Sequence, residues 1–401
     1  MALVASVDFG LAVTFATFVN LCEPTFVATS NNTIGFYAMF LVIHLVMNLV
    51  PSDYLSFVSA VSVFANIICL LSIFIGLFAY APSLQSTSAV ATTFVNNSGF
   101  SDSYCAVLGC LVAGYTFTGY EASSSIAEET HQASTAAPIG IVTSVLFSIP
   151  CFFFLLLALL FASPPFDDDF ILSGNPFTQV LISGTNEDGA KVLLSFVVLC
   201  QFCCGFSSMT SSARVCYAFA RDGGMPASRY LSLLSPQQIP YFCVILVTVL
   251  AFALGCTYLG QPIAFTAFTS LTVIGLNISY GIPIALRVWQ GKDFKKGKFN
   301  LGPYGEALGT VACLYIAALS VVLVLPQTNP VNDQTMNYTV LFFGAVVLGS
   351  VGAWVVSAHK WFIGPPIAEV KGEDDLDQIV VVEVEMNYKP VELVDITEHS
   401  S

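Results

Sequence analysis

The stretch AGYTFTGYEASSSIAEET, Ala113–Thr130, decides how this chain is read. YCAVLGCLV (104–112) precedes it and PIGIVTSVLFSIPCFFFLLLALLFA (138–162) follows, both apolar enough for a lipid interior. Between them stand Gly114, Gly119, a crowd of hydroxyls and Glu121. A helix in lipid satisfies its own backbone, so a Gly- and Thr-rich segment can unwind only where protein or a water-filled cavity surrounds it. Unwinding frees carbonyls and amides at mid-depth, the construction that secondary carriers use to hold substrates and ions. Glu121 sits where an ionisable group is costly and usually functional. On these residues alone, an intact helix using small residues for close packing explains the stretch equally well.

Working outward, the chain has 401 residues, 56% hydrophobic and 9% charged. Ordinary soluble domains are about a quarter charged, so the expected fold class is an all-α polytopic membrane protein. Runs of about 20 apolar residues suffice to cross a bilayer. Ten are read, at 3–22, 34–51, 56–82, 104–126, 138–163, 190–218, 239–260, 264–288, 304–326 and 340–358. The first, which holds Asp8 and begins at Met1, gives the weakest signal.

Charge sets the expected orientation. With the N-terminus cytosolic, Arg214, Arg221, Arg229, Arg287, Lys292, Lys295, Lys296, Lys298, Lys360, Lys371 and Lys389 all fall inside, and only Lys191 falls outside. The sequons at Asn31, Asn96 and Asn337 then lie in outward loops, as glycosylation requires. Most of the net charge of −14 comes from the tail and from Asp167, Asp168 and Asp169. The division expected is a transmembrane domain over 1–362 and an acidic, solvated cytosolic tail over 363–401. The tail's IVVVEVEM alternates enough to pair with a partner strand, though its composition favours disorder. No basic face points to nucleic acid.

Twelve cysteines invite a metal or redox reading, above all Cys200-Gln-Phe-Cys203-Cys204. Nearly all lie in apolar spans, where a thiol is a small packing residue. The histidines (His44, His131, His359, His399) are scattered and complete no zinc set. Asp8-Phe-Gly10 lacks the companion motifs of a kinase. No cofactor and no metal are expected, and no cluster of His, Cys and carboxylates suggests an enzyme.

FTGYEASSSIAEETHQASTAAPIGI (117–141), RVCYAFARDGGMP (214–226), IGLNISYGIPIALRV (274–288) and FNLGPYG with LPQTNPVNDQTMNYT (299–339) together resemble the amino acid–polyamine–organocation transporters. The match is to their amino acid/choline permease branch, and it runs from the first residues almost to Trp361. The resemblance implies two inverted five-helix repeats plus two extra C-terminal helices, with substrate held at the broken first and sixth helices. Ala113–Ser125 would be the sixth helix and VASVDFGLA the middle of the third. The first two helices and the start of the third would then be absent, leaving the repeat incomplete and half the substrate site missing. A truncated or fragmentary chain is the expectation, with a short inactive or regulatory paralogue as its alternative.

By the same resemblance Tyr115 occupies an aromatic gate. Phe117, Thr118 and Gly119 offer unwound backbone to a substrate ammonium, for which aromatic faces are suited. Glu121 matches an acidic position linked to proton coupling, with pinning of the broken helix as its structural alternative. Ser208, with Ser207 and Ser211, lies on the eighth helix; Tyr280, with Asn277, lies on the tenth. Either group could face the cavity or bridge helices. Arg214 and Arg221 share a helical face ended by Asp222-Gly-Gly. The expected function is proton-coupled transport of a small amino acid or amine, gamma-aminobutyrate or choline among them, by alternating access around 114–121. The expected location is a plasma or vacuolar membrane. A transport-inactive sensor whose tail binds another protein is the competing function.

Overall fold

The computed structural model describes residues 1–127, 130, 132–165, 175–259, 262–294, 296–333 and 335–362. The tail over 363–401, His131, Lys295 and Asp167, Asp168 and Asp169 therefore lie outside the described residues. Every regular element among the described residues is helical. In chain order they are α1 (Ala2–Cys22), α2 (Ser30–Asn48), α3 (Ser52–Tyr80), α4 (Thr87–Thr92), α5 (Asp102–Gly109), α6 (Leu111–Thr116), α7 (Ala122–Ser125) and α8 (Ala133–Ala162). These are followed by α9 (Pro176–Gly184), α10 (Glu187–Arg221), α11 (Ser228–Leu231), α12 (Tyr241–Cys256), α13 (Pro262–Gln290), α14 (Gly305–Val324) and α15 (Thr339–Val356).

Nine helices among the described residues are long and apolar enough to cross a membrane. The tenth expected span, 104–126, is divided into α5, α6 and α7. Local chemistry sets many boundaries. Thr29 caps α2 by accepting from Asn32 N at 3.3 Å, and Asn186 caps α10 by accepting from Gly189 N at 2.7 Å. Asn175 caps α9, with Pro176 in its first turn. The long α10 stops where Asp222 and Gly223 were expected to stop it: Gly223 takes a φ of +76°, and Gly224 N donates back to Phe219 O at 2.9 Å.

Packing gives the span with the weakest sequence signal a central place. That span, α1, is packed against α10, α2, α12 and α13. Val4, Ala5, Leu11 and Ala12 are buried there with Tyr37 and Leu41 of α2, Met209 of α10 and Val247 of α12. A second cluster joins Leu77 of α3, Ala158 of α8 and Leu181 of α9 to Leu194 of α10, so the long helix serves both. A third, smaller cluster holds Leu111 of α6, Ile274 of α13 and Leu323 of α14. The outer surface is apolar instead of charged; Leu348 of α15 is 74% exposed, as a lipid-facing side chain would be.

The segments 274–288 and 299–305 meet at one end of α13. Arg287 Nη1 donates to Gly305 O at 3.0 Å, and a Cβ on Gly305 would strike the guanidinium. The ring of Phe219 meets that of Phe362, which brings the basic end of α10 beside the end of α15. Elsewhere Asn329 N donates to Ser98 O at 2.8 Å, joining the loop that carries Asn96 to the one that carries Asn337.

Candidate substrate site

Sequence makes the break in the 104–126 span local. Thr116 and Thr118 turn their hydroxyls back onto Val112 O at 2.7 Å and Gly114 O at 2.9 Å, a bond that competes with regular helix. Helix α6 ends at Thr116, and Gly119 adopts a φ of +101°, a conformation costly for any residue with a Cβ. Helix resumes only at Ala122. Gly114 serves differently: a Cβ there would lie 3.1 Å from Leu319 Cδ1, so its role is the close approach of α6 to α14.

The unwound turn separates two cavities. One, of about 180 Å³, lies between the break, α13 and α14, and is lined by Phe117, Thr118, Gly119, Tyr120, Glu121, Asn277, Tyr280 and Tyr315. The other, of about 190 Å³, faces α8 at Ser144 and Ser148. Each is large enough for several waters or one small solute.

Glu121 supplies the formal charge of the first cavity. It is half-buried, and its Oε2 is shielded from solvent without a hydrogen-bond partner. Tyr120 and Tyr280 are its electrostatic neighbours, and their rings are 5.7 Å apart. The wall is therefore a carboxylate among phenol rings. Such a wall is complementary to an ammonium group: the carboxylate attracts it and the ring faces solvate it.

Seven of the residues singled out from the sequence, Gly114, Phe117, Thr118, Gly119, Glu121, Asn277 and Tyr280, line this cavity. Tyr115 is directed elsewhere; its Oη is 2.7 Å from Ser270 Oγ, tying α6 to α13. Ser208 does not line it either and interacts with Cys204 on α10. Tyr120 and Tyr315 were missed. Tyr120 could have been found from its place between Gly119 and Glu121, whereas Tyr315 lies in an apolar helix with no local signal.

The three sequons differ in geometry. Asn31 is exposed in the first turn of α2. The amide nitrogen of Asn96 donates to Phe100 O at 2.8 Å, and that of Asn337 to Leu323 O at 2.8 Å.

Comparison with known proteins agrees with this architecture. A profile described as amino acid permease matches residues 1–347. The chain is 33% identical over 385 residues to the amino-acid permease BAT1 of Arabidopsis thaliana, covering 91% of this chain and 74% of the relative. It is 33% identical over 384 residues to the BAT1 homolog of Oryza sativa subsp. japonica, with the same coverage of 91% and 74%. An uncharacterized amino-acid permease of Schizosaccharomyces pombe is 29% identical over 384 residues, covering 92% of this chain and 70% of that protein. With a family profile over most of its length and, among the described residues, nine membrane-length helices and a tenth expected span that is broken, this chain belongs to the amino acid permease family, as a multi-pass integral membrane transporter.

Proposed function

We propose that the substrate is a small amino acid or related amine, with gamma-aminobutyrate and choline the leading chemical types, and that it binds in the cavity beside Glu121. The observation that carries this reading is the unpartnered Oε2 of Glu121 facing a cavity walled by Tyr120, Tyr280 and Tyr315. A carboxylate in such a place requires a compensating cation. A substrate ammonium is one and a proton is another, which supports Glu121 as the coupling residue. Thr118 and Gly119 contribute backbone dipoles where the helix is interrupted, and alternating access would turn on that interruption.

The test is ligand-induced stabilisation of the purified chain. Gamma-aminobutyrate, choline and a panel of neutral amino acids are titrated while thermal unfolding is followed. A ligand at 100 times its Kd should stabilise by about 2.7 kcal/mol. Glu121→Gln keeps hydrogen-bonding capacity but removes the charge, so it should abolish the stabilisation or its pH dependence. If none of these ligands stabilises the native chain, or the variant responds identically, the assignment to this cavity fails.

The remaining proposals concern placement. A cytosolic tail and glycans on Asn31, Asn96 and Asn337, in a plasma or vacuolar membrane, complete the reading; charge asymmetry supports the tail's side and sequon position the glycans. Protease protection of 363–401 in sealed vesicles and a glycosidase-sensitive mass test them.

A further inference from the structure

The deepest charged groups of the molecule lie outside this cavity. Asp8 of α1 and His44 of α2 are both 0% exposed, inside the cluster formed with α10 and α12. His44 Nδ1 and Asp8 Oδ1 are 3.0 Å apart. They are nevertheless out of line for a hydrogen bond, and neither carboxylate oxygen nor either ring nitrogen has a hydrogen-bond partner. Above the pair passes α10 at Gly205, where a Cβ would collide with both Asp8 Oδ1 and His44 Cε1. The imidazole packs on Phe202, ring centroids 4.6 Å apart. Behind it, Asn48 Nδ2 donates to His44 O at 2.9 Å and Thr210 Oγ1 donates to Asn48 Oδ1 at 2.6 Å, which fixes α2 against α10.

Among the described residues, the titratable groups recorded against Asp8 besides His44 are a phenol and a thiol. From α2 the titratable group facing it is Tyr37, whose hydroxyl donates to Ala251 O at 2.6 Å; Cys256 of α12 lies beside Tyr37. From α10 it is Cys204, which interacts with Ser208. Tyr258, just beyond α12, stacks on Phe9. The titratable groups of α13, Tyr280 and Arg287, are engaged at Glu121 and at Gly305 O.

We propose that Asp8 and His44 form a proton-binding site separate from Glu121, in which the imidazole carries a proton that neutralises the carboxylate while α1 and α10 stay closed over it at Gly205. An ionised Asp8 beside a neutral imidazole would be an uncompensated charge in an apolar interior. A metal ion would need space for ligands, and Gly205 leaves none; a proton needs none. The proton resides on the ring because Coulomb attraction does not depend on alignment, whereas a hydrogen bond between neutral partners weakens steeply out of line. The reaction is simple addition: imidazole and H⁺ give imidazolium, with no other bond altered.

The experiment uses the full 401-residue chain in lipid nanodiscs, with His131, His359 and His399 replaced by Gln so that His44 is the single ¹⁵N-labelled imidazole. Spectra are taken at pH 8, where a free imidazole, with a pKa of about 6.5, is mostly neutral. The expected result is an imidazolium signal that is lost in Asp8→Asn and kept in Glu121→Gln. A neutral imidazole in the otherwise native chain overturns the proposal, and that spectrum decides even if Asp8→Asn does not fold. An imidazolium that persists in a folded Asp8→Asn variant overturns it as well. Because the readout needs no substrate, it stands or falls independently of the assignment of the Glu121 cavity.

Discussion

Asp8 and Glu121 are carboxylates in membrane-length segments, yet the molecule treats them in opposite ways. Asp8 is sealed between intact helices with a basic side chain 3.0 Å away, and α10 lies against the pair without room for a methyl group. Glu121 stands at a break in its helix, half-buried, with phenols around it and one oxygen unpartnered. On the two proposals above, a compensating cation is built in at the first site and brought in at the second. Depth in the membrane does not by itself mark a binding residue. What separates the two is whether the packing leaves space for a guest.

Removing the built-in partner should have the largest effect. His44→Leu leaves Asp8 as a buried charge without compensation, a loss of about 3–5 kcal/mol, visible as a collapse in folded yield after detergent extraction. Adding Asp8→Asn to that variant should restore much of the yield. If His44→Leu is tolerated, Asp8 is not held as an ion and the contrast with Glu121 disappears.

Next comes the seal. Gly205→Ala forces a methyl group onto the pair and should cost about 1–3 kcal/mol, whereas alanine at Gly275, which has open space around its Cβ position, should lower the unfolding temperature far less. Equal effects at the two positions would remove the evidence for close packing over Asp8.

At the broken segment the expected cost is conformational and smaller. Gly119→Ala places a Cβ at a φ of +101° with nothing nearby to collide with, so the penalty, about 1–2 kcal/mol, comes from backbone strain alone. The same variant should weaken ligand-induced stabilisation, since relieving the strain would close the turn. Smallest is Tyr115→Phe, which removes the hydrogen bond to Ser270 and should cost about 0.5–1.5 kcal/mol. Ligand response should survive it because Tyr115 does not line the cavity. A lost response would return Tyr115 to the site.

Much of the fold was legible because lipid imposes a simple rule on composition. Nine expected spans reappear as helices; 190–218, for instance, lies within Glu187–Arg221. The interruption of the remaining span was legible as one of two readings, since Thr116, Thr118 and Gly119 act through backbone preferences that need no partner, whereas Gly114 acts by close approach to α14. The site was legible only in part. Glu121 announced itself by its charge, and Asn277 and Tyr280 of α13 by the segment 274–288, but the cavity is completed by Tyr315 of α14, whose local sequence resembles any apolar helix. Ser208 and Tyr115 show the converse: suitable side chains at suitable helical positions that point away from this cavity.

By itself, then, the sequence determined the class and the spans and marked 113–130 as the segment where a helix could break, because hydropathy and glycine conformation are properties of short segments. Tertiary structure alone decided the rest. Hydropathy reports what a helix would expose to lipid and is silent on what it touches inside; hence α1, whose signal Asp8 and the start at Met1 had weakened, proved central, and Asp8 proved to lie 3.0 Å from His44. His44 looked like one scattered histidine until α2 folded beside α1, because complementarity between distant side chains has no local signature to read.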